Sequence, residues 1–124
     1  MSRIGSFKAG IDRFNKKNEA KINRNVRKVV LACLGGVIRR SPVDTGFFRL
    51  NWALSVNGPD MTIGDKGGVT QPMPTFENKD VIYISNAMPY ANRLESGWSK
   101  QAPGGVVAPT IRDVEAKIAG GALD

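Results

Sequence analysis

Apolar residues at helical spacing fill the first forty residues, and this pattern limits the fold more than any other feature of the sequence. They recur three and four positions apart from Ile4 to Phe14 and again from Ile22 to Val37, so each stretch gives a helix one apolar face. Gly35-Gly36 weakens such a helix by about 1 kcal/mol per glycine relative to alanine. Pro42 ends it, because the residue before proline avoids helical backbone angles. Residues 4–40 therefore predict one long helix or two stacked ones.

The rest of the chain predicts short elements in mixed order. We expect a helix at 47–51, strands at 52–56 and 80–85, a helix at 90–96 with Gly97 as its cap, a strand at 106–108, a helix at 111–118 and a weakly indicated strand at 61–63. The strand at 80–85 is almost continuously apolar, which predicts cover on both faces. The loop at 57–79 is long for a small domain, and such loops are usually functional or flexible.

These elements predict a single domain spanning residues 1–124, in which a basic helical segment (1–40) precedes a sheet-containing core (41–124). Its fold class is α+β: a long N-terminal helix packs on a small, mostly antiparallel β-sheet with short helices.

Positive charge is concentrated in the helical segment. The chain has a net charge of +7, yet residues 1–40 hold eleven Lys or Arg against two acidic residues, and the remainder is slightly negative. Such a segment attracts nucleic acid or an acidic protein surface without sequence specificity. The plainer alternative is a solvated helix face.

The composition argues against catalysis. The chain has no histidine, which removes the commonest general base and metal ligand. Cys33 is the one cysteine and sits in an apolar stretch, where it serves as a small hydrophobe. Asp44 and Glu95 could act as an acid–base pair or hold a cation, but we expect a salt bridge or helix cap, with Arg49 and Arg93 as partners. We predict no enzymatic activity, no metal and no cofactor.

No apolar run approaches the roughly 20 residues that span a bilayer, and the N-terminus lacks the pattern of a signal peptide. We therefore expect synthesis in a cytoplasm and no membrane partner. Trp52, Tyr83 and Tyr90 indicate core or interface positions rather than base-stacking platforms. Trp98 falls in a predicted loop, where an aromatic side chain suggests contact with a partner.

Two segments carry a family resemblance. Residues 41–52, SPVDTGFFRLNW, resemble the PVDTG-x-x-R-x-x-W signature of tail-completion and neck proteins from long-tailed bacteriophages. Residues 83–104 resemble the same family's second run, in YISN, PYA, LESG and QAPG. The matches cover roughly half of the chain in the expected order. The signature residues expected at structural or interface positions are Pro42, Asp44, Thr45, Gly46, Arg49, Trp52, Asn86, Pro89, Tyr90, Leu94, Glu95, Gly97 and Trp98.

The resemblance implies a structural subunit of the phage head–tail connector. Such a subunit assembles into a ring, with a hexamer favoured over a dodecamer, that joins the head to the tail tube and lets genomic DNA pass through its lumen. Its partners would be neighbouring head-closure or connector proteins and tail-tube or terminator proteins, and its place the virion tail or neck after assembly in the host cytoplasm. Gly105 departs from the family pattern, which has a methionine or similar large residue there, and Pro109 interrupts the passage into the last helix.

Within this interpretation, Asp44 and Thr45 cap and turn the chain, Arg49 pairs with a carboxylate such as Glu95, and Trp52 anchors the sheet core. We also expect some basic side chains of the first helix to face DNA in the lumen or an acidic neighbour: Arg24, Arg27, Lys28, Arg39 and Arg40. The alternative function is a basic nucleic-acid-binding module without catalytic activity. A hydrolase or nuclease built on Asp44 and Glu95 is a remote third.

Overall fold

The protein is described here by a computed structural model covering residues 3–43, 47–97 and 99–121, with side chains from residue 20 onward. Its elements in chain order are α1 Arg3–Arg40, α2 Phe47–Leu50, β1 Trp52–Val56, a 3₁₀ turn at Gly68–Thr70, β2 Ile82–Asn86, α3 Ala91–Glu95 and α4 Val107–Ala119. The α+β class is confirmed, with a long N-terminal helix, a small antiparallel sheet and short helices. Asp44, Thr45, Gly46 and Trp98 lie outside the described residues.

Helix α1 is continuous through its two adjacent glycines and, at 38 residues, is about 57 Å long. Gly36 is buried where α1 meets α4, and a Cβ atom there would lie 2.5 Å from Thr110 Cγ2. The glycine that weakens the helix in isolation therefore permits close contact between α1 and α4.

The sheet contains two antiparallel strands, in which Trp52 lies opposite Asn86 and Leu54 opposite Ile84. Trp52, Leu54 and Ile84 share the face that packs on α1 and the start of α4. The prediction that the second strand is covered on both faces is wrong, because the helices cover this face alone. On the other face Tyr83 remains exposed.

Two further strand predictions are wrong. Residues 61–63 form no strand, and Met61 and Ile63 are both exposed. Residues 107 and 108 begin α4 and Val106 is its N-cap, because the Glu95 side chain binds the amides of this segment and stabilises a helix there.

The last helix also turns a different face to the core than the sequence indicates. Helical spacing places Ile111, Val114 and Ile118 on one face of the predicted helix. In the structure Val114 is buried but Ile111 and Ile118 are exposed, and Thr110 is buried beside α1.

The loop at 57–79 is fastened to the rest of the domain rather than loose. The Gln71 side-chain amide accepts a hydrogen bond from Leu54 N at 3.0 Å and donates one to Trp52 O at 2.8 Å. It therefore occupies the outer edge of β1 as a neighbouring strand would. Phe76 is buried under the Arg27 guanidinium, which lies 5.5 Å from the ring centroid and makes a cation–π contact.

The hydrophobic core lies where α1, α2, the sheet and the approach to α4 meet. Its buried cluster consists of Leu34, Val37, Phe48, Trp52, Ala102 and Val106. Trp52 is 5% exposed, and its ring meets that of Phe48 edge-on at 5.6 Å. The predicted role of Trp52 as an anchor of the core agrees with this position.

Replacing Trp52 with alanine leaves a large cavity and removes the indole N–H. We expect Trp52→Ala to lower the free energy of unfolding by about 3–5 kcal/mol, measured by urea denaturation. Ile118→Ala, at a half-exposed position, serves as control and should change stability by less than about 0.5 kcal/mol. Equal stability of Trp52→Ala and the wild type would contradict the core position of Trp52.

Candidate functional site: the junction of the two signature segments

Ser41 is the first residue of the first signature segment and is 2% exposed. Its hydroxyl donates to Val37 O at 2.6 Å, in the last turns of α1, and accepts from Trp52 Nε1 at 2.7 Å. One buried hydroxyl thus satisfies a helix carbonyl and the indole N–H together. The sequence assigned no role to Ser41, because a serine before proline is an ordinary feature of turns.

Arg49 binds the end of α1 rather than an acidic side chain. Its Nε donates to Ser41 O at 2.8 Å and its Nη2 to Arg39 O at 3.2 Å. The predicted pairing of Arg49 with Glu95 is therefore wrong. The carbonyls at a helix C-terminus lack helical partners and carry partial negative charge, so they attract the guanidinium.

Glu95 caps α4. Its Oε1 accepts hydrogen bonds from Val106 N at 2.8 Å and Val107 N at 2.7 Å, and its Oε2 accepts one from Ala108 N at 3.0 Å. Burial by itself would raise the pKa of the Glu95 carboxyl. The three amide donors outweigh that effect and hold its pKa below the ordinary value. The carboxylate is therefore charged and engaged in binding the helix N-terminus.

Gly105 explains a departure from the family pattern. It is buried with φ of +85°, and a Cβ atom there would lie 2.5 Å from Glu95 O and 2.8 Å from Glu95 Oε2. A side chain at this position would push Glu95 away from α4. Glycine also adopts the positive φ readily.

The two signature segments meet side by side although thirty residues, 53–82, separate them in the sequence. Asn86 Nδ2 donates to Phe48 O at 2.9 Å, and Val43 N donates to Gln101 Oε1 at 2.8 Å. The Phe48 ring also lies 5.8 Å from that of Tyr90. Phe48 and Gln101 are therefore joining residues that the sequence did not single out as site residues.

The other signature residues surround this junction. Pro42 is buried, Tyr90 and Leu94 contact the core cluster, and Gly97 follows α3 with φ of +88°, as its predicted capping role requires. Pro89 is exposed before the turn into α3. The geometry supplies packing and hydrogen bonding between segments, and none of the described contacts brings two carboxylates together.

The five basic residues expected to face DNA or an acidic neighbour do not act alike. Arg24, Arg27, Lys28 and Arg39 are exposed, with Arg27 also stacked on Phe76. Arg40 instead binds α4: its guanidinium lies 3.7 Å from the Asp113 carboxylate and donates to Thr110 Oγ1 at 3.3 Å.

Three of these exposed residues share one side of α1 with Lys21. Lys21, Arg24, Lys28 and Arg39 follow helical spacing and lie away from the core residues Val30, Leu34 and Val37. We call these four residues the basic face. Lys21 was not among the predicted residues, although the same spacing would have included it.

Neither metal ligation nor thiol reactivity is indicated in the described part of the chain. No group of three His, Cys, Asp or Glu side chains there is arranged to hold a metal ion. Cys33 is half-buried, and burial raises the pKa of its thiol, which disfavours the nucleophilic thiolate. Among the described helices, none is both long and apolar enough to cross a membrane.

No protein-family model matches this sequence, and comparison with curated proteins and with solved structures finds no similar protein.

The Glu95 cap makes stability depend on pH. Because its folded pKa lies below the unfolded value of about 4.3, its contribution is complete above that value and is lost as the pH falls through the folded pKa. We expect Glu95→Gln to lower the free energy of unfolding by about 1–2 kcal/mol at neutral pH, and this difference from the wild type to shrink in acid. Urea denaturation across the pH range measures both.

Glu115→Gln provides the matched control, since Glu115 is exposed on α4 itself. A Glu95→Gln protein whose stability differed from the wild type by the same amount at every pH would show that the charge on Glu95 does not hold the helix.

Proposed function

We propose that this chain is a structural subunit of a bacteriophage head–tail connector, of the tail-completion or neck type. One observation carries the proposal: the two segments that resemble this family fold against each other as one hydrogen-bonded junction, joined by Asn86 to Phe48 and by Gln101 to Val43. A chance match of two separate motifs gives no reason for the motifs to meet in space.

The chemistry of the junction fits an architectural role. The described hydrogen bonds of the Glu95, Arg49 and Ser41 side chains go to main-chain groups of this chain or to the Trp52 indole. Glu95 is one of the two carboxylates considered for acid–base chemistry, and it is engaged as a helix cap. The proposed subunit performs no reaction and takes no cofactor, and its activity is assembly.

The surface of the chain suits an oligomer. Among the described side chains, twelve large apolar ones are exposed while ten apolar residues are buried, so apolar side chains are available for contact with other subunits. The accessible surface is 8271 Å², which exceeds by about 1,800 Å² the area of a compact monomer of this mass.

The proposed assembly is a closed homo-oligomeric ring, with six subunits favoured over twelve. Rings form when two different surfaces of one subunit meet head to tail and the rotation closes. The ring's two ends would contact head-closure or connector proteins and tail-tube or terminator proteins, and the lumen would admit genomic DNA. The proposed location is the neck or tail of the virion.

Light scattering tests the assembly directly. We expect the protein, alone or after mixing with tail tubes that lack a terminal ring, to form a closed species of about 80 kDa, six times the 13.4 kDa chain. A protein that stays monomeric up to high concentration and ignores tube ends would overturn the proposal.

A nucleic-acid-binding function is the second candidate, and the basic face of α1 favours it. Lys21, Arg24, Lys28 and Arg39 extend over about 27 Å of helix, long enough to follow several phosphates. In a connector the same face would line the DNA passage or meet an acidic neighbour. A module that works by itself would bind DNA as a free monomer.

Charge reversal on this face separates the two functions. We expect Arg24→Glu with Lys28→Glu to weaken binding to duplex DNA at least tenfold at low salt and to reduce the slope of log K against log salt by about 2. Lys79→Glu with Lys100→Glu, at two exposed positions, changes the net charge equally and serves as control.

Salt-dependent binding by a persistent monomer, lost in the first pair and kept in the second, would support the nucleic-acid module. Unchanged DNA binding and assembly in both pairs would show that the basic face is only a solvated surface.

A further inference from the structure

The outer edge of β2 is open. Gln71 binds the main chain of Trp52 and Leu54 from outside the sheet. The main-chain groups of β1 that form hydrogen bonds with β2 therefore belong to Ala53 and Ser55. Main-chain groups alternate in direction along an antiparallel strand, so in β2 those of Ser85 and Tyr83 face β1, and those of Ile82, Ile84 and Asn86 face away. Among the described residues, none of the main-chain groups of these last three has a hydrogen-bond partner.

Two apolar pockets flank this edge, and Ile84 lines both. One, of about 230 Å³, lies between the sheet and the helices and is lined by Cys33, Val37 and Ile111 among others. The other, of about 190 Å³, is lined by Leu94 and Val106 among others. An open strand edge between apolar pockets is the arrangement to which extended segments add as a new strand, with alternate side chains entering the pockets.

The chain also carries a segment suited to this edge. Met61 and Ile63 are 64% and 55% exposed and stand two residues apart, the spacing that places side chains on one side of a strand. No hydrogen bond within the described residues involves their main-chain groups. The sequence predicted a strand here, and within one chain that strand has no neighbour.

Contacts on both sides hold this segment in place. Before it, Asp60 O accepts from Ser85 Oγ at 3.2 Å, and the Asp60 carboxylate lies 3.2 Å from Lys66 Nζ. After it, Gly64 N donates to Asn51 Oδ1 at 2.7 Å, and Lys66 N donates to Leu50 O at 2.8 Å. Anchoring on both sides reduces the conformational entropy that the segment loses on binding. Met61 and Ile63 are therefore held in an exposed position before any partner binds.

We propose that residues 61–63 of one copy add as a third strand to the open β2 edge of a second copy, with Met61 and Ile63 entering the pockets beside Ile84. This inference rests on the proposed ring and identifies the contact between its neighbouring subunits. Donor segment and acceptor edge are different surfaces, so the contact is head to tail and can continue from copy to copy until the ring closes. It gives the two-stranded sheet the third strand that independent stability generally requires.

Disulfide trapping tests the contact in the full chain. In a Cys33→Ser background, Ile63→Cys combined with Ile84→Cys places two thiols on neighbouring strands, where opposed Cβ atoms lie about 4.5–5.5 Å apart. We expect non-reducing gels of the oxidised assembly to show a ladder that ends at the ring's copy number. Neither single variant should give a ladder.

Two results would overturn the contact. If Ile84→Cys alone cross-links into dimers, two β2 edges pair with each other instead. If intact rings form and the double variant gives no cross-link, the ring uses other surfaces, and the proposed function stands without this inference.

A charge on the donor segment gives an independent measurement. We expect Ile63→Asp to keep the monomer's thermal stability and raise the concentration needed for assembly at least tenfold, because the carboxylate would have to enter an apolar pocket. Val69→Asp, in the same loop at 61% exposure, is the control and should assemble as the wild type does. Equal assembly of the two variants would contradict the inference, while absence of rings in the wild type, alone and on tube ends, would remove the proposed function and the inference together.

Discussion

The hydrogen bonds at Ser41 hold together parts of the molecule that the sequence keeps apart. Its hydroxyl links Val37 of α1 to the indole of Trp52, and its carbonyl receives Arg49. These three bonds fix where the chain leaves the long helix and where the sheet begins. The same turn leads directly into α2, which carries Phe48, and into β1. A small domain whose core is shared among short elements depends strongly on such a buried polar contact, since losing one partner leaves another unsatisfied.

The sequence predicted those elements whose signal is local. Residue spacing and turn residues predict helix α1, the strand beginning at Trp52, the glycine after α3 and the α+β class, and the structure agrees. The predicted start of α4 was wrong because this start depends on Glu95, whose carboxylate caps the helix. Glu95 lies eleven residues before Val106 in the sequence. The prediction that both faces of the strand at 80–85 are covered was wrong, because a run of apolar residues does not show how many layers pack on a strand.

The candidate site was predictable in its residues and much less so in their contacts. Trp52 was placed correctly in the core, but Arg49 was assigned to Glu95, since opposite charges are the first pairing a sequence suggests. In the folded chain each charge binds a helix terminus instead, and helix termini acquire positions in space only after the turns have formed. The contacts of Ser41, Gln71 and Gln101 were not predicted for the same reason. An uncharged polar side chain gives no sequence signal of its partner, because the partner is positioned only when the chain has folded.

The amide of Gln71 has a consequence for solubility. A two-stranded sheet with both edges open is a template that can extend in two directions, which is the geometry of fibrous aggregates. By occupying the Trp52–Leu54 edge with a side chain, the protein leaves a sheet to which further strands can add on the β2 side only. Gln71 thus removes one of the two edges at which the sheet of this chain could become the template of a fibril.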